Sequence, residues 1–107
     1  MTDLEHHEHH GRIAVVTGGG RGFGKAFGHA LAARGAIVAL ADIDVAAAEQ
    51  AATEIEAVGG SAVAYDCNVN DEGQVAAMMD DLTERHGGVD ILINNAGLHS
   101  QAFNEPM

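Results

Sequence analysis

The 107-residue sequence is poor in residues that cross-link or stiffen a chain. It has one cysteine, Cys67, one proline, Pro106, and no tryptophan, and aromatic residues make up only 4% of it. One cysteine excludes an intrachain disulfide and favours a reducing compartment. Hydrophobic residues nevertheless reach 47%, so the core is expected to consist of Ala, Val, Ile and Leu, which suits close packing of helices on a sheet.

Basic residues and long apolar runs are also scarce. Five Lys and Arg stand against sixteen Asp and Glu, for a net charge of −11. This balance argues against nucleic acid or an anionic membrane as a partner. No apolar run is long enough to span a bilayer, and the N-terminus has no signal-peptide hydrophobic region. We therefore expect a cytoplasmic protein with neither kind of partner.

The first eleven residues, 1–11, are polar and carry His6, His7, His9 and His10. A histidine cluster can bind a transition metal weakly. We interpret the segment as a disordered leader, and no metal site is predicted.

The remaining sequence alternates short apolar runs with longer stretches of helical periodicity. Runs of about six apolar residues predict buried strands, and spacings of three and four predict helices between them. Such alternation is typical of right-handed βαβ crossovers and a parallel sheet. The predicted strands are Arg12–Thr17, Ala36–Ala41, Ser61–Tyr65 and Val89–Ile93, and the predicted helices are Phe23–Arg34, Val45–Val58 and Asp71–Arg85.

A glycine-rich turn, Thr17–Gly24, separates the first predicted strand from the first helix. Glycines let a backbone turn tightly and approach phosphate groups, and a helix N-terminus offers N–H groups and a positive dipole end. A plain glycine-rich loop is the alternative interpretation. The strand before, the helix after and an acidic residue beyond the next strand favour a dinucleotide pyrophosphate site.

Asp42 follows the second predicted strand directly, which places it at the carboxyl edge of the sheet beside the turn. A carboxylate there can accept hydrogen bonds from the ribose hydroxyls of NAD and would repel a 2′-phosphate. A turn or capping aspartate is the alternative, but Asp44 is predicted to cap the second helix. Arg21 could favour a phosphate, whereas Ile43 adds no second cation. NAD is therefore favoured over NADP.

Two motifs together resemble a known family. Thr17, Gly18, Gly22 and Gly24 match the pattern Thr-Gly-x-x-x-Gly-x-Gly, and Asn94-Asn95-Ala96-Gly97 follows the fourth predicted strand. The stretch from Arg12 to Gly97 resembles the N-terminal half of a classical short-chain dehydrogenase/reductase. The resemblance implies an α/β fold of Rossmann type: the first half of a doubly wound parallel sheet, with about four strands and three helices. Residues 12–97 would form the dinucleotide-binding half-domain, and 98–107 a tail leading towards a catalytic half.

The resemblance also implies roles for single positions. The turn would wrap the pyrophosphate and adenosine ribose, Asp42 would bind that ribose, and the segment after strand three would contact adenine. The family more often has aspartate where this chain has Asn68, and an amide oxygen can still accept from the adenine amino group. The implied cofactor-binding residues are Gly18, Gly20, Arg21, Gly22, Phe23, Gly24, Asp42, Ile43, Asn68, Val69, Asn95, Ala96 and Gly97.

The family's catalytic residues are a serine and a Tyr-x-x-x-Lys pair, located well after Asn-Asn-Ala-Gly. Here the only tyrosine, Tyr65, has Val69 four residues on, and the only lysine is Lys25 in the first helix. No catalytic residue is predicted in this chain. The resemblance implies a parent oxidoreductase that transfers hydride between NAD and an alcohol or carbonyl substrate, commonly as a dimer or tetramer. The 107 residues alone would be inactive.

Two other functions remain open at this point. A dinucleotide-binding module without chemistry fits the same residues. A transferase that uses S-adenosylmethionine also has a glycine-rich turn and an acidic residue after the second strand, but the eight-residue glycine motif and the Asn-Asn-Ala-Gly segment argue against it.

Overall fold

Strands and helices alternate along the chain in the predicted order. A computed structural model describes residues 11–95, to which all structural statements below refer. The elements are β1 (Ile13–Thr17), α1 (Gly22–Ala33), β2 (Ile37–Asp42), α2 (Val45–Ala57), β3 (Ser61–Asp66), α3 (Glu72–His86) and β4 (Ile91–Asn94).

The four strands form one parallel sheet in the order β3-β2-β1-β4. The chain moves outward from β1 to β2 and β3, and then crosses back to place β4 on the other side of β1. Strand order therefore reverses between β1 and β4. In open α/β sheets, ligands bind at the carboxyl ends of the strands beside such a reversal. The predicted Rossmann-type fold class is confirmed.

Each face of the sheet packs against its own helices. Alternate residues such as Val16 and Leu40 pack with α1 and α2, where alanines of α2 allow the helix to approach closely. The intervening residues, such as Val15 and Ala39, pack with Met78 and Leu82 of α3. The strands β1 and β2 are buried on both faces, which explains their continuous apolar sequences.

Two of the three helices begin at an aspartate whose side chain caps the first turn. The Asp44 carboxylate accepts a hydrogen bond from the Ala47 N–H, and Asp71 accepts from Gly73 and Gln74. The predicted capping role of Asp44 is confirmed. Such caps satisfy N–H groups that have no partner within the helix.

Two predicted strand boundaries are wrong, one at the carboxyl edge of the sheet and one at the opposite edge. Asp42 does not follow β2 but is its last residue, in register with Asp66 of β3. The fourth strand begins at Ile91 rather than Val89, and just before it the Asp90 carboxylate accepts the Ile13 N–H at 2.9 Å while the Asp90 N–H donates to the Ile13 carbonyl. The Asp90 side chain thus takes the place of a backbone acceptor for Ile13, and the first paired residues of β1 and β4 are Ala14 and Ile91.

The predicted leader 1–11 lies outside the described residues except for Gly11, and the predicted tail 98–107 lies wholly outside them. Within 11–95, no helix has the length and apolar character needed to cross a membrane.

Candidate functional site: the glycine turn at the carboxyl edge of the sheet

The glycine turn leaves β1 at the reversal of strand order and leads directly into α1. Gly18 and Gly22 have φ angles of 63° and 59°. Positive φ is strained for residues with a Cβ, so glycine is the natural choice at both positions. The turn is anchored to β2, since the N–H groups of Gly18 and Gly19 donate to the Ala41 carbonyl at 2.7 and 3.3 Å.

Other glycines of the turn are required by close packing. A Cβ on Gly24 would collide with the Gly18 carbonyl oxygen and lie 2.8 Å from Asn95 Nδ2. A Cβ on Gly20 would lie 2.8 Å from the Ala47 Cβ at the start of α2. The backbone of the turn is therefore packed against its own first glycine, against Asn95 just after β4 and against α2, with no room for side chains between them.

Helix α1 begins without the cap that the other two helices have. Its N-cap residue, Arg21, makes no side-chain hydrogen bond to the first turn, and that turn contains no acidic residue. The first N–H groups of a helix have no partner within the helix, and the macrodipole puts partial positive charge there. A bare, glycine-lined helix start of this kind fits a phosphate or pyrophosphate group.

Asp42 links the end of β2 to the turn. One carboxylate oxygen accepts the Gly20 N–H at 3.0 Å, and the other accepts the Asp44 N–H at 3.0 Å. The residue is 9% exposed. A carboxylate has about four lone-pair sites, so these two bonds leave acceptor capacity. Asp42 therefore makes the backbone contacts expected of a turn aspartate, which was the alternative interpretation. It also lies beside the glycine turn, where a ribose-binding aspartate is expected.

The mouth of the turn carries one ion pair and two exposed apolar side chains. A guanidinium nitrogen of Arg21 lies 3.7 Å from the second carboxylate oxygen of Asp44, with the two side chains 70% and 41% exposed. Phe23 and Ile43 are 78% and 70% exposed. The cation of the turn is thus paired with the aspartate that caps α2.

A small hydrogen-bond network ties the turn to β4. The Thr17 hydroxyl is 3.1 Å from Asn94 Oδ1 and accepts the Asn95 N–H at 2.9 Å. The side-chain amide of Asn95, which is buried, donates to the Gly18 carbonyl at 3.4 Å. Asn94 thereby joins β4 to β1, as the resemblance implied, and Asn95 holds the first glycine of the turn.

The segment after β3 lies beside the end of β2, since the Cys67 N–H donates to the Asp42 carbonyl at 3.2 Å. The backbone N–H of Asn68 donates to the Gln74 side chain, and Asn68 Oδ1 accepts the Asn70 N–H at 2.9 Å. Asn68 is exposed and Val69 is partly buried. Both residues follow β3, the strand that pairs with β2 and its last residue, Asp42. The remaining predicted positions, Ala96 and Gly97, lie outside the described residues.

Thr17 contributes its hydroxyl to the site, but it is absent from the cofactor-binding residues that were predicted from the sequence. It is buried at the end of β1 and its hydroxyl contacts Ile93, Asn94 and Asn95, which lie 76, 77 and 78 positions away. Its position in the sequence could have indicated this role, because Thr17 and Asn94 both end strands that are neighbours in the predicted topology.

Tyr65 makes its own contacts on the α3 face of the sheet. Its hydroxyl donates to Asp81 at 2.5 Å, and Asp81 also accepts from Arg85 Nε at 3.0 Å. Burial and the Asp81 carboxylate raise the pKa of Tyr65 to about 12. A phenol engaged in this way holds its proton more tightly than a free tyrosine, opposite to the requirement for a catalytic acid and base near neutral pH.

Comparison with known proteins places this arrangement in a family. A family model described as short chain dehydrogenase matches residues 12–106. The chain belongs to the short-chain dehydrogenase family. It corresponds to the N-terminal portion of that family's fold, and the resemblance drawn from the two motifs is confirmed. Members of this family are oxidoreductases that bind nicotinamide dinucleotides.

Two curated relatives illustrate the range of lengths. Galactitol 2-dehydrogenase of Agrobacterium fabrum is 42% identical over 91 residues, which cover 85% of this chain and 34% of the relative. The short-chain dehydrogenase/reductase homolog YusS of Bacillus subtilis is 43% identical over 88 residues, which cover 81% of both chains. The chain thus spans about a third of the first relative and most of the second.

Solved structures agree with the fold. A metagenomic short-chain oxidoreductase in complex with NADP is 39% identical with a TM-score of 0.79, covering 82% of this chain and 40% of that one. An oxidoreductase from Haemophilus influenza with bound NAD is 28% identical with a TM-score of 0.76, covering 86% and 32%. Both nicotinamide coenzymes therefore occur among structures similar to this chain.

Proposed function

We propose that this chain is the coenzyme-binding portion of an NAD-dependent short-chain dehydrogenase/reductase. The intact enzyme would transfer a hydride between the nicotinamide ring and an alcohol or carbonyl substrate. The observation that carries the proposal is the start of α1, where a glycine turn at the strand-order reversal leads into an uncapped helix. The two capped helices of the same chain provide the contrast.

The chain's own residues would bind the coenzyme by backbone rather than by side chain. The first N–H groups of α1 would donate to the pyrophosphate, since no side chain occupies them. Gly20 is committed to Asp42 through its N–H, so its role would be to shape the turn. Asn95 and Gly24 would keep the Gly18 carbonyl away from the anion by holding it against β4.

Preference for NAD over NADP is proposed from the charges around the turn. The Asp42 carboxylate would accept hydrogen bonds from the adenosine ribose and repel a 2′-phosphate. Arg21, the cation of the glycine turn, is paired with Asp44. We expect Asn68, Val69, Ile43 and Phe23 to line the adenosine end of the site, and Asn95, Ala96 and Gly97 to line the coenzyme where β4 ends.

Catalysis itself is proposed to lie outside these residues. Tyr65 lacks a lysine four residues later and donates its hydroxyl to Asp81. With no other tyrosine and no second lysine in the sequence, the proton-transfer pair of the family is missing. We expect the 107 residues to bind coenzyme and to show no turnover alone. The intact enzyme would be a cytoplasmic homodimer or homotetramer acting on a small molecule.

A second candidate is a dinucleotide-binding module that performs no chemistry. One observation favours it: this chain matches 81% of the length of the Bacillus subtilis relative. Both candidates share the coenzyme site and differ in turnover.

Calorimetry and thermal unfolding of the full chain with NAD, ADP-ribose and S-adenosylmethionine test the proposal. NAD and ADP-ribose should bind, and ligand at about 100 times its Kd should add about 2.7 kcal/mol to the unfolding free energy. S-adenosylmethionine, which has no pyrophosphate, is the matched control and should give no shift. Absence of binding by both pyrophosphate ligands would refute the proposed function.

A further inference from the structure

The ion pair between Arg21 and Asp44 has a geometry that bears on coenzyme choice. Asp44 uses its two carboxylate oxygens for different purposes. One accepts the Ala47 N–H at 3.2 Å and caps α2, and the other lies 3.7 Å from the Arg21 guanidinium. Capping and charge pairing therefore depend on separate atoms of one side chain, and they can be separated by mutation.

The backbone around the pair brings Arg21 towards α2. Gly20 packs so closely on the first turn of that helix that a Cβ would lie 2.8 Å from the Ala47 Cβ and the Ala48 nitrogen. Arg21 follows in an extended conformation, with φ −162° and ψ 171°. Its backbone is therefore close to the start of α2, within reach of Asp44.

The same place is next to Asp42, since the Asp44 N–H donates to the Asp42 carboxylate at 3.0 Å. A ribose bound by Asp42 would carry its 2′ position close to Arg21 and Asp44. An arginine free at that position would attract a 2′-phosphate, because guanidinium groups bind phosphate in bidentate fashion. An arginine paired with a carboxylate offers less net charge and fewer free donors.

We propose that Asp44 is a specificity-determining residue that withholds Arg21 from a 2′-phosphate. The inference rests on the proposed function, because it assumes that the adenosine ribose lies against Asp42. It adds a second acidic residue to the selection of NAD over NADP. Asp42 would act on the ribose directly, whereas Asp44 would act through Arg21.

The variant Asp44→Asn tests this inference without removing the cap. The asparagine side-chain oxygen can still accept the Ala47 N–H, and Asn is as good an N-cap as Asp. The charge partner of Arg21 is lost. Binding of NAD and NADP to the full chain is measured by calorimetry at low and high salt, together with the melting temperature.

Exposed ion pairs are weak and are screened by salt, so the expected change is modest. We expect NADP affinity to rise about three- to fivefold in Asp44→Asn at low salt, with NAD affinity changed less than about twofold. The gain should shrink at high salt. It should disappear in the double variant Arg21→Gln with Asp44→Asn, because the cation has been removed.

Three results separate the possibilities. An unchanged ratio of NADP to NAD affinity in Asp44→Asn would overturn the inference while leaving the coenzyme site intact. A gain that persists in the double variant would also overturn it, because Asp44 would then repel the phosphate directly. Failure of the unmutated chain to bind either coenzyme would instead refute the proposed function.

Discussion

The Asp42 carboxylate accepts the backbone N–H of Gly20 at 3.0 Å, and both groups are buried. The last residue of β2 therefore helps to hold the glycine turn in shape. One side chain is involved both in the local structure of the turn and in the proposed recognition of ribose. The alternatives raised by the sequence, a turn aspartate or a ribose-binding aspartate, are not mutually exclusive.

Asp42→Asn should lower both stability and NAD affinity. Asn has one acceptor oxygen where Asp42 uses two, so either the Gly20 or the Asp44 N–H loses its partner, and leaving a donor unsatisfied in a buried place costs about 1–3 kcal/mol. Loss of the charge should also narrow the difference between NAD and NADP. Urea unfolding and calorimetry provide the two measurements. Asp66→Asn is the matched control, since Asp66 is in register with Asp42 at the end of β3 but is exposed. An unaltered coenzyme ratio in Asp42→Asn would contradict the ribose assignment.

Gly24→Ala should disrupt the turn. The added methyl group would collide with the Gly18 carbonyl and crowd Asn95, and overpacking of this kind costs about 1–3 kcal/mol. Chemical denaturation measures the loss, and NAD binding should fall with it.

The control for that variant is Gly73→Ala in the first turn of α3. A Cβ at Gly73 meets nothing closer than 3.3 Å, and alanine is the better helix former by about 0.5–1 kcal/mol. If both variants had equal stability and bound NAD equally, close packing at Gly24 would not be what the turn requires.

Thr17→Val should weaken the connection between β1 and β4. Valine has the shape of threonine but no hydroxyl, so the buried Asn95 N–H loses its acceptor and the exposed Asn94 Oδ1 loses a donor. The expected loss is about 1–3 kcal/mol of unfolding free energy. Thr53→Val removes an exposed hydroxyl that donates to the Glu49 carbonyl in α2 and should cost much less. Equal losses in the two variants would argue against a special role for Thr17.

Tyr65 offers a direct spectroscopic test, because it is the only tyrosine and the sequence has no tryptophan. Tyrosinate absorbance should titrate with a midpoint near 12. Since the folded state favours the neutral phenol, its contribution to stability is complete below the ordinary pKa of about 10. That contribution is lost as pH rises from 10 to 12.

Asp81→Asn should lower the titration midpoint of Tyr65, because the carboxylate that accepts its proton is removed. Part of the elevation should remain, since burial is its largest cause. Asp80→Asn, an exposed neighbour on α3, should leave the midpoint unchanged. A midpoint near 10 in the unmutated folded chain would refute the hydrogen bond to Asp81.

The sequence carries enough information for the order and type of every element in the described residues. Apolar runs such as Ala36–Ala41 and the spacing of Val75, Met78, Met79 and Leu82 are local signals, and Met78 and Leu82 are indeed buried. The ends of the strands could be predicted less well from the sequence. Asp42 pairs in register with Asp66, and the Asp90 side chain accepts the backbone N–H of Ile13. Neither contact can be predicted from the residues that neighbour it in the sequence.

The candidate site, too, could be predicted from the sequence only in part. The glycine spacing predicts a turn that approaches phosphate, because the small residues that such a turn requires all lie within that one segment. The role of Thr17 depends on which strand lies beside β1, and the pairing of Arg21 with Asp44 depends on how closely the turn approaches α2. Such contacts follow from packing in three dimensions, so only the structure reveals them.

The bonds from Thr17 to Asn94 and Asn95 join positions 77 and 78 residues apart, and they involve the residue from which the glycine turn starts. The native shape of the turn therefore includes contacts that exist only when β4 is paired with β1. Coenzyme affinity would then report on completion of the whole sheet, so that a chain interrupted before residue 90 would lose recognition even though every glycine of the turn were still present.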